Sequence, residues 1–379
     1  MEFRQLGRTG MRVGSLGLGT EYLLEASRHE MHAVLRRAAE RQVNFVDVLY
    51  VDPNFLDRFG GALRGLRKEF FLGIHLAWGR VDGQLTNIRQ VSACLECFHD
   101  TLSRLHTDSV EVVFVHNVDD PEFYRTWVPE IVEVCVRLKK EGKARAIGFS
   151  THNCDLALDA VPTDWCEVLM FPVNPANDQL PGRDAVFDAC LRRQVGLVAM
   201  KPFAGGRLLS PERAVSLKPV QSGFQRDSRD LRLEKTLAIT PTQCLSYVLS
   251  QRGVSTVVPG VKNTQEWDQS LHFLDASASE KDYEAVLASI TPARAGDCVY
   301  CNHCLPCPAG LDIGRSMRIV DRAEQGISPS LRAEYDALSP RPDACLACGE
   351  CMKRCAFGVD VAGKMKKAAG LFGSGHGSR

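Results

Sequence analysis

The chain has no excess charge of either sign, since its 46 Lys and Arg are matched by 46 Asp and Glu. No net field therefore draws it to nucleic acid or to an anionic membrane. No apolar run approaches the length needed to span a bilayer. The start lacks the basic stretch and apolar core of a secretory signal. No G-x-G-x-x-G turn follows an early strand, which counts against an open doubly wound sheet. These absences lead to the expectation of a cytoplasmic protein acting on a small-molecule substrate, without nucleic-acid or membrane partners. In such a reducing compartment thiolates stay available as ligands.

Cysteine is plentiful, with fifteen in 379 residues. Eight of them form two runs near the end. CVYCNHCLPCP places Cys298, Cys301, Cys304 and Cys307 three apart, and CLACGECMKRC places Cys345, Cys348, Cys351 and Cys355 at spacings of three, three and four. Three thiolates so spaced can each reach a different iron of one cube, while a fourth beyond them ligates the other cube in two-cluster ferredoxins. The expected sets are Cys298, Cys301 and Cys304 with Cys355, and Cys345, Cys348 and Cys351 with Cys307, holding two [4Fe–4S] clusters. Zinc and disulfides are the alternatives. Zinc favours two C-x2-C pairs separated by about 15–20 residues, whereas here each run already holds four cysteines. One departure is Ala356, where a bacterial ferredoxin run carries proline. His303, inside the first run, is expected to face water. Cubes that degrade in air also point to an anaerobic or microaerobic host.

Up to residue 290, short apolar runs alternate with amphipathic stretches, the pattern of repeated β–α units. The expected strands are Val13–Thr20, Asn44–Val48, Phe70–Leu76, Ser109–His116, Ala146–Thr151, Val168–Asn174, Gly196–Pro202 and Ser255–Gly260. Helices are expected over His29–Gln42, Thr86–Leu105, Tyr124–Glu141, Arg183–Gln194 and Pro241–Gln251. Eight such units over this length imply a closed (β/α)8 barrel of TIM type. The expected organisation is a barrel over 1–290, a small, mainly α-helical two-cluster ferredoxin-like domain over 291–370, and a disordered tail over 371–379. The charged stretch 210–240 reads as either a lid or a solvated face. Cys94, Cys97, Cys135, Cys154, Cys166, Cys190 and Cys244 read as small buried hydrophobes, with Cys154 the one near a strand end.

The segments LGRTGMRVGSLGLGT, NFVDV, VEVVFVHN, AIGFSTHN and VVPGVKNTQEW resemble the aldo/keto reductase family, and the cysteine tail resembles its subgroup with a C-terminal [4Fe–4S] module. The resemblance implies an oxidoreductase with an Asp–Tyr–Lys–His tetrad and NADPH. In that scheme a tyrosine protonates the carbonyl oxygen as hydride arrives, helped by a lysine–aspartate pair. The aspartate matches Asp47 and the histidine His116. The tyrosine's position holds Asp52, with Tyr50 two residues early, and the lysine's position holds His75. Asp47, Tyr50, His75 and His116 are the candidate catalytic residues, His75 being able to act as an acid or base where lysine would not.

The family's cofactor cradle maps onto Thr20, Ser150, Asn174, Lys201, Gly205, Gly206, Gly260, Lys262 and Asn263. Thr151 stands for the asparagine beside the nicotinamide, Met170 for the glutamine, and Gln269 and Ser270 for the acid–asparagine pair at the adenine. NADP(H), a flavin and neither all stay open for the barrel. Because hydride carries two electrons and a cube moves one, a flavin or a radical-forming substrate is needed between a nicotinamide and a cluster. The leading expectation is an iron–sulfur oxidoreductase served by a ferredoxin or another redox partner protein. Its rivals are a catalytically silent barrel acting as an electron-transfer or interaction subunit, and an NADPH carbonyl reductase with a substituted tetrad.

Overall fold

The computed structural model describes residues 1–81, 84–178, 180–209, 215–219, 231–235, 239–287, 296, 298, 300, 302, 304–323, 326–355 and 358–373. Eight parallel strands form one sheet: β1 (Leu18–Gly19), β2 (Phe45–Val48), β3 (Phe71–Leu76), β4 (Val110–Val115), β5 (Ala144–Ser150), β6 (Val168–Pro172), β7 (Gly196–Met200) and β8 (Val254–Val258). They pair in sequence order from β1 to β8. The bridges Leu16 to Val257 and Gly19 to Gly260 join the two edges. The sheet thus closes on itself, as the eight-unit pattern implied.

Helices α1 (Arg28–Glu40), α2 (Pro53–Leu63), α3 (Val91–Arg104), α4 (Val128–Lys140), α5 (Cys154–Ala160), α6 (Arg183–Arg193), α7 (Pro241–Ser250) and α8 (Thr264–Leu271) follow the strands. Local chemistry sets several starts. Ser27 accepts the Glu30 N–H to cap α1, and Thr240 and Gln243 form a reciprocal capping box ahead of Pro241 on α7. These caps satisfy backbone donors that have no partner within the helix. The expected helix over 86–105 begins only at Val91, because Gln84–Asn87 pairs antiparallel with Trp78–Val81.

The alternation along each strand sorts side chains into two cores. One face packs against the helices. The other fills the barrel with Phe45, Val112, Phe114, Ala146, Val168, Met170, Val198 and Met200. An N-terminal hairpin, Phe3–Gln5 paired with Arg12–Gly14, adds Leu6, Met11 and Val13 to that interior. The expected first strand over 13–20 is therefore split: its first part belongs to this hairpin and only Leu18–Gly19 joins the barrel.

Beyond the barrel, α9 (Ile313–Ala323), α10 (Pro329–Asp336) and α11 (Val361–Gly373) form a helical module, as expected. It carries two small cores. One joins Tyr300, Leu311, Met317, Val361 and Met365 to the cysteines, and the other joins Ile319, Val320, Leu331, Tyr335, Ala368 and Phe372. Phe372 stacks on Tyr335 with centroids 4.1 Å apart. The packed module thus reaches Gly373, three residues past the expected boundary, and residues 374–379 lie outside the described set. Of the stretch 210–240, Val215–Pro219 pairs antiparallel with Leu231–Lys235; the choice between lid and solvated face rests mostly on residues outside the described set. No helix among the described residues is long and apolar enough to cross a membrane.

Candidate active site

The inward-facing positions of β2 to β5, followed to the C-terminal ends of the strands, deliver Asp47, His75, His116 and Ser150 into one cavity. That is the end of a barrel where chemistry is built. The cavity's empty volume is about 1630 Å3 with its mouth included.

At its floor three residues form a chain. His75 Nε2 lies 2.8 Å from Asp47 Oδ1, and His75 Nδ1 lies 2.9 Å from His116 Nδ1. All three are buried. The Trp78 ring leans on His116 at 4.5 Å. An ionised carboxylate only accepts, so His75 Nε2 carries a hydrogen, and one proton is then shared between the two Nδ1 atoms.

Phe114 supports this chain from below, its ring 19° from parallel to His75 and 5.1 Å away. Two glycines make room for it. A Cβ on Gly148 would lie 2.3 Å from Phe114 Cδ1, and one on Gly73 would lie 2.8 Å from Cε2.

The other expected residues divide between lining and bracing. Ser150, Lys201, Gly205, Gly206, Gly260 and Lys262 line the cavity, as does Met170, whose thioether packs in the apolar interior. Thr20 braces the end of β2, donating to the Asp47 carbonyl at 2.9 Å and accepting from Leu49 N–H at 3.3 Å. Asn174 ties the loop after β6 to the next strand, donating to the Lys201 carbonyl at 3.1 Å while accepting from Ala176 and Asn177 N–H. Asn263 caps α8 through the Glu266 N–H.

Tyr50 packs edge-on against Phe55 at 5.9 Å and is not among the lining residues. Burial, with Glu21 next in weight, pushes its phenol far above the ordinary tyrosine range. Asp52, at the tyrosine's expected position, caps α2 by accepting the Phe55 N–H at 3.0 Å. The replacement is thus a helix cap followed by Pro53.

The cavity roof comes from outside the barrel. Tyr300, Arg318 and Arg322 of the C-terminal module line the same space as Asp47 and His116. Arg207, in the loop after β7, donates to the Cys298 carbonyl at 3.1 Å. Nothing in the local sequence signals this contact, because it joins segments 91 residues apart.

At their described positions the two cysteine runs share a local geometry. Cys298 Sγ accepts from Tyr300 N–H and Cys345 Sγ from Ala347 N–H, both at 3.4 Å. Tyr300, Asn302, Ala347 and Gly349 all have positive φ, so the same left-handed turns recur at matching places. Successive N–H groups bent this way form concavities of the kind that hold anions and iron–sulfur groups. Cys307, Cys345, Cys348 and Cys351 line one apolar-walled pocket. Burial pushes the Cys351 thiol up, with Cys345 and Cys307 adding to the effect as neighbours. On the other side, Arg354, directly before Cys355, donates to the carbonyls of Cys304 (3.1 Å) and Pro306 (2.7 Å). Cys301 and His303 lie outside the described residues. Among those described, no three His, Cys, Asp or Glu side chains are gathered as a site for a single metal ion. The described cysteines form no disulfide. Those of the barrel are buried or half-buried, as expected for small hydrophobes, and Cys154 does not line the cavity.

Comparison with known proteins now bears on this arrangement. The profile of the aldo/keto reductase family matches residues 11–290. The chain belongs to the aldo/keto reductase family.

The L-galactose dehydrogenase of Arabidopsis thaliana is 24% identical to this aldo/keto reductase over 293 residues, 72% of this chain and 87% of that protein. The L-glyceraldehyde 3-phosphate reductase of Escherichia coli O157:H7 is 21% identical over 314 residues, 73% of this chain and 88% of that protein. Among solved structures, the holo form of an aldo-keto reductase from Bacillus halodurans superposes with a TM-score of 0.57 at 21% identity, covering 76% of this chain and 96% of that one. The protein is an oxidoreductase of aldo/keto reductase type with that family's barrel. Both cysteine runs fall beyond the matched segment.

Proposed function

We propose that this aldo/keto reductase is an iron–sulfur oxidoreductase that passes electrons between two [4Fe–4S] clusters and a small molecule in the barrel cavity. The observation that carries the reading is Tyr300. It sits between Cys298 and Cys301 in the sequence and lines the cavity whose floor is Asp47, His75 and His116. A cluster loop and the family's site are therefore in direct contact.

The cysteine residues fit the groups assigned to them. Cys345, Cys348, Cys351 and Cys307 already share a cavity, and Arg354 keeps Cys355 beside the Cys304 loop. The remaining set is Cys298, Cys301, Cys304 and Cys355. Bound clusters supply one-electron transfers at a potential tuned by hydrogen bonds to sulfur and by exposure.

The residues facing the nicotinamide position fit that ring poorly. Met170 cannot offer its amide both a donor and an acceptor, and of Ser150 and Thr151 only Ser150 lines the cavity, the Thr151 hydroxyl donating to Asp119 at 3.0 Å. No step is assigned to it.

The chain's own residues supply protons. His116 can accept a proton at Nε2 while its Nδ1 hydrogen moves to His75. The positive charge then rests on His75 against the Asp47 carboxylate, 2.8 Å away. In reverse, His116 protonates an oxygen of the ligand. This is general acid–base chemistry by relay, without the lysine and tyrosine of the family's tetrad.

The test begins with protein purified anaerobically, its iron and sulfide counted, and its absorbance followed during titration with dithionite and then NADPH. About eight irons per chain are expected, with bleaching by dithionite. An iron content that stays below about four after reconstitution would refute the reading. Bleaching by NADPH would reveal a bound two-to-one electron converter such as a flavin, whereas its absence assigns the donor role to a ferredoxin-type protein. Asp47→Ala and His116→Ala should keep the clusters yet lose reoxidation by a carbonyl substrate. If both variants transfer electrons like the parent, the barrel serves only as an electron-transfer subunit. Tyr50→Phe should leave turnover intact; an abolished activity would favour the NADPH carbonyl reductase alternative.

A further inference from the structure

Arg318 and Arg322 stand one turn apart on α9 and both line the barrel cavity. Arg322 is exposed and paired with Glu334 at 2.6 Å. Arg318 is half-buried, and its guanidinium carbon lies 5.6 Å from the Tyr22 ring centroid and 5.0 Å from that of Tyr300. Tyr22 in turn packs on Gly260, where a Cβ would come within 2.7 Å of the ring. The guanidinium is thereby seated against two rings, one from the barrel and one from a cluster loop.

A cation–π contact holds the guanidinium by its charge and takes up none of its N–H donors in ordinary hydrogen bonds. Those donors lie at the edges and point in the plane, available for a bidentate partner. Among the described residues no carboxylate pairs with Arg318, whose guanidinium instead lies against the Tyr22 and Tyr300 rings. The other cavity cations have nearby acceptors. Lys201 lies 3.8 Å from Glu21, Lys262 lies 4.0 Å from Glu266, and Arg207 donates to the Cys298 carbonyl. Five basic side chains face three acidic ones across the cavity, and one of the three, Asp47, is already held by His75. A half-buried cation with no counter-ion among the described residues, in a cavity where basic side chains outnumber acidic ones, calls for an anionic ligand.

We propose that Arg318, contributed by the C-terminal module, binds a phosphoryl group of the ligand in the barrel cavity. The inference rests on taking that cavity as the ligand site, but it does not depend on the clusters. The phosphoryl group has two sources, a dinucleotide or a phosphorylated substrate. The module then completes the barrel's binding site by supplying the anion contact at the mouth, while the Asp47–His75–His116 chain meets the reacting end at the floor.

The test is calorimetric titration of the anaerobically purified full chain with NADP+, with glycerol 3-phosphate, and with glycerol as the uncharged control. Wild type, Arg318→Gln and Arg318→Lys are compared. Arg318→Gln should bind a phosphorylated probe about ten- to a hundredfold more weakly, the usual range for losing a charged hydrogen bond. Arg318→Lys should recover part of the loss, and glycerol binding should not move. A loss confined to NADP+ assigns the site to a dinucleotide phosphate, and one confined to glycerol 3-phosphate assigns it to the substrate. Unchanged affinity in Arg318→Gln for every phosphorylated probe that wild type binds overturns the proposal, as does failure of wild type to bind either. Iron and sulfide counts on the same preparations report on the cluster reading separately, and wild-type counts in the variants show that the module has folded. If Arg318→Gln loses its iron, Arg318→Lys decides: folded protein that binds the phosphorylated probes more weakly than wild type, with glycerol binding unmoved, supports the contact, and folded protein that binds them as tightly as wild type overturns it.

Discussion

Gly148→Ala should destabilise the barrel, and the sign of its effect is the test. Gly148 has no left-handed φ, so the backbone itself accepts alanine. Judged by chain entropy alone, the change should stabilise by about 0.4–1 kcal/mol through the unfolded state. The tertiary structure predicts the opposite. The new Cβ would lie 2.3 and 2.4 Å from Phe114 Cδ1 and Cε1, where carbon atoms prefer about 3.5–4.0 Å. The ring would have to retreat by more than about 1 Å, yet Gly73 closes its far edge and His75 lies across its face. Overpacking of this kind costs about 1–3 kcal/mol. All four tryptophans lie in the barrel at 78, 127, 165 and 267, so fluorescence during urea unfolding follows that unit rather than the cysteine module. Phe114→Leu removes the obstruction and serves as the second arm of a double-mutant cycle. A coupling energy above about 1 kcal/mol between the two sites is expected. An unchanged or raised midpoint in Gly148→Ala, or simple additivity in the double variant, would refute the claim that Phe114 is wedged beneath His75.

Two further outcomes concern the cysteines. Cys307→Ser and Cys355→Ser should each remove one cluster and spare the other, lowering iron from about eight to about four per chain, with different electron-paramagnetic signals surviving in the two variants. Identical residual signals would contradict the crossed pairing. Burial pushes the thiols of Cys94, Cys135 and Cys190 up to about 12 and that of Cys154 to about 11. At pH 8 the first three are ionised in roughly one molecule in ten thousand, and the thiolate is the reactive form. Mass spectrometry after iodoacetamide treatment should find these four unmodified in the native protein and alkylated in urea; modification under native conditions would show that the barrel opens locally.

Much of this protein was legible in its residues. Most barrel strands after the first, the barrel itself and the helical character of the module follow from patterns repeated over short windows. Asp47, His75 and His116 were legible as a group because each ends an apolar run, and a barrel gathers such ends. The period-two alternation of β3 and β5 also carried the hint that Gly73 and Gly148 face inward, but not that one phenylalanine between them needs both spaces. Tyr50 shows the limit from the other side. Two residues of loop register separate it from the family's tyrosine, and its ring packs against Phe55 and is not part of the cavity lining.

Local chemistry was written in the residues: most of the barrel strands, the caps that start helices, and thiols recurring three apart. Those properties depend on neighbours within a few positions. Folding in three dimensions set Phe114 beneath His75, put Arg354 of the second cysteine run on the backbone of the first, and brought Tyr300 and Arg318 over a cavity whose floor is Asp47, His75 and His116. Such contacts arise from packing between distant segments, where shape and charge select the partner and no spacing in the chain records the choice.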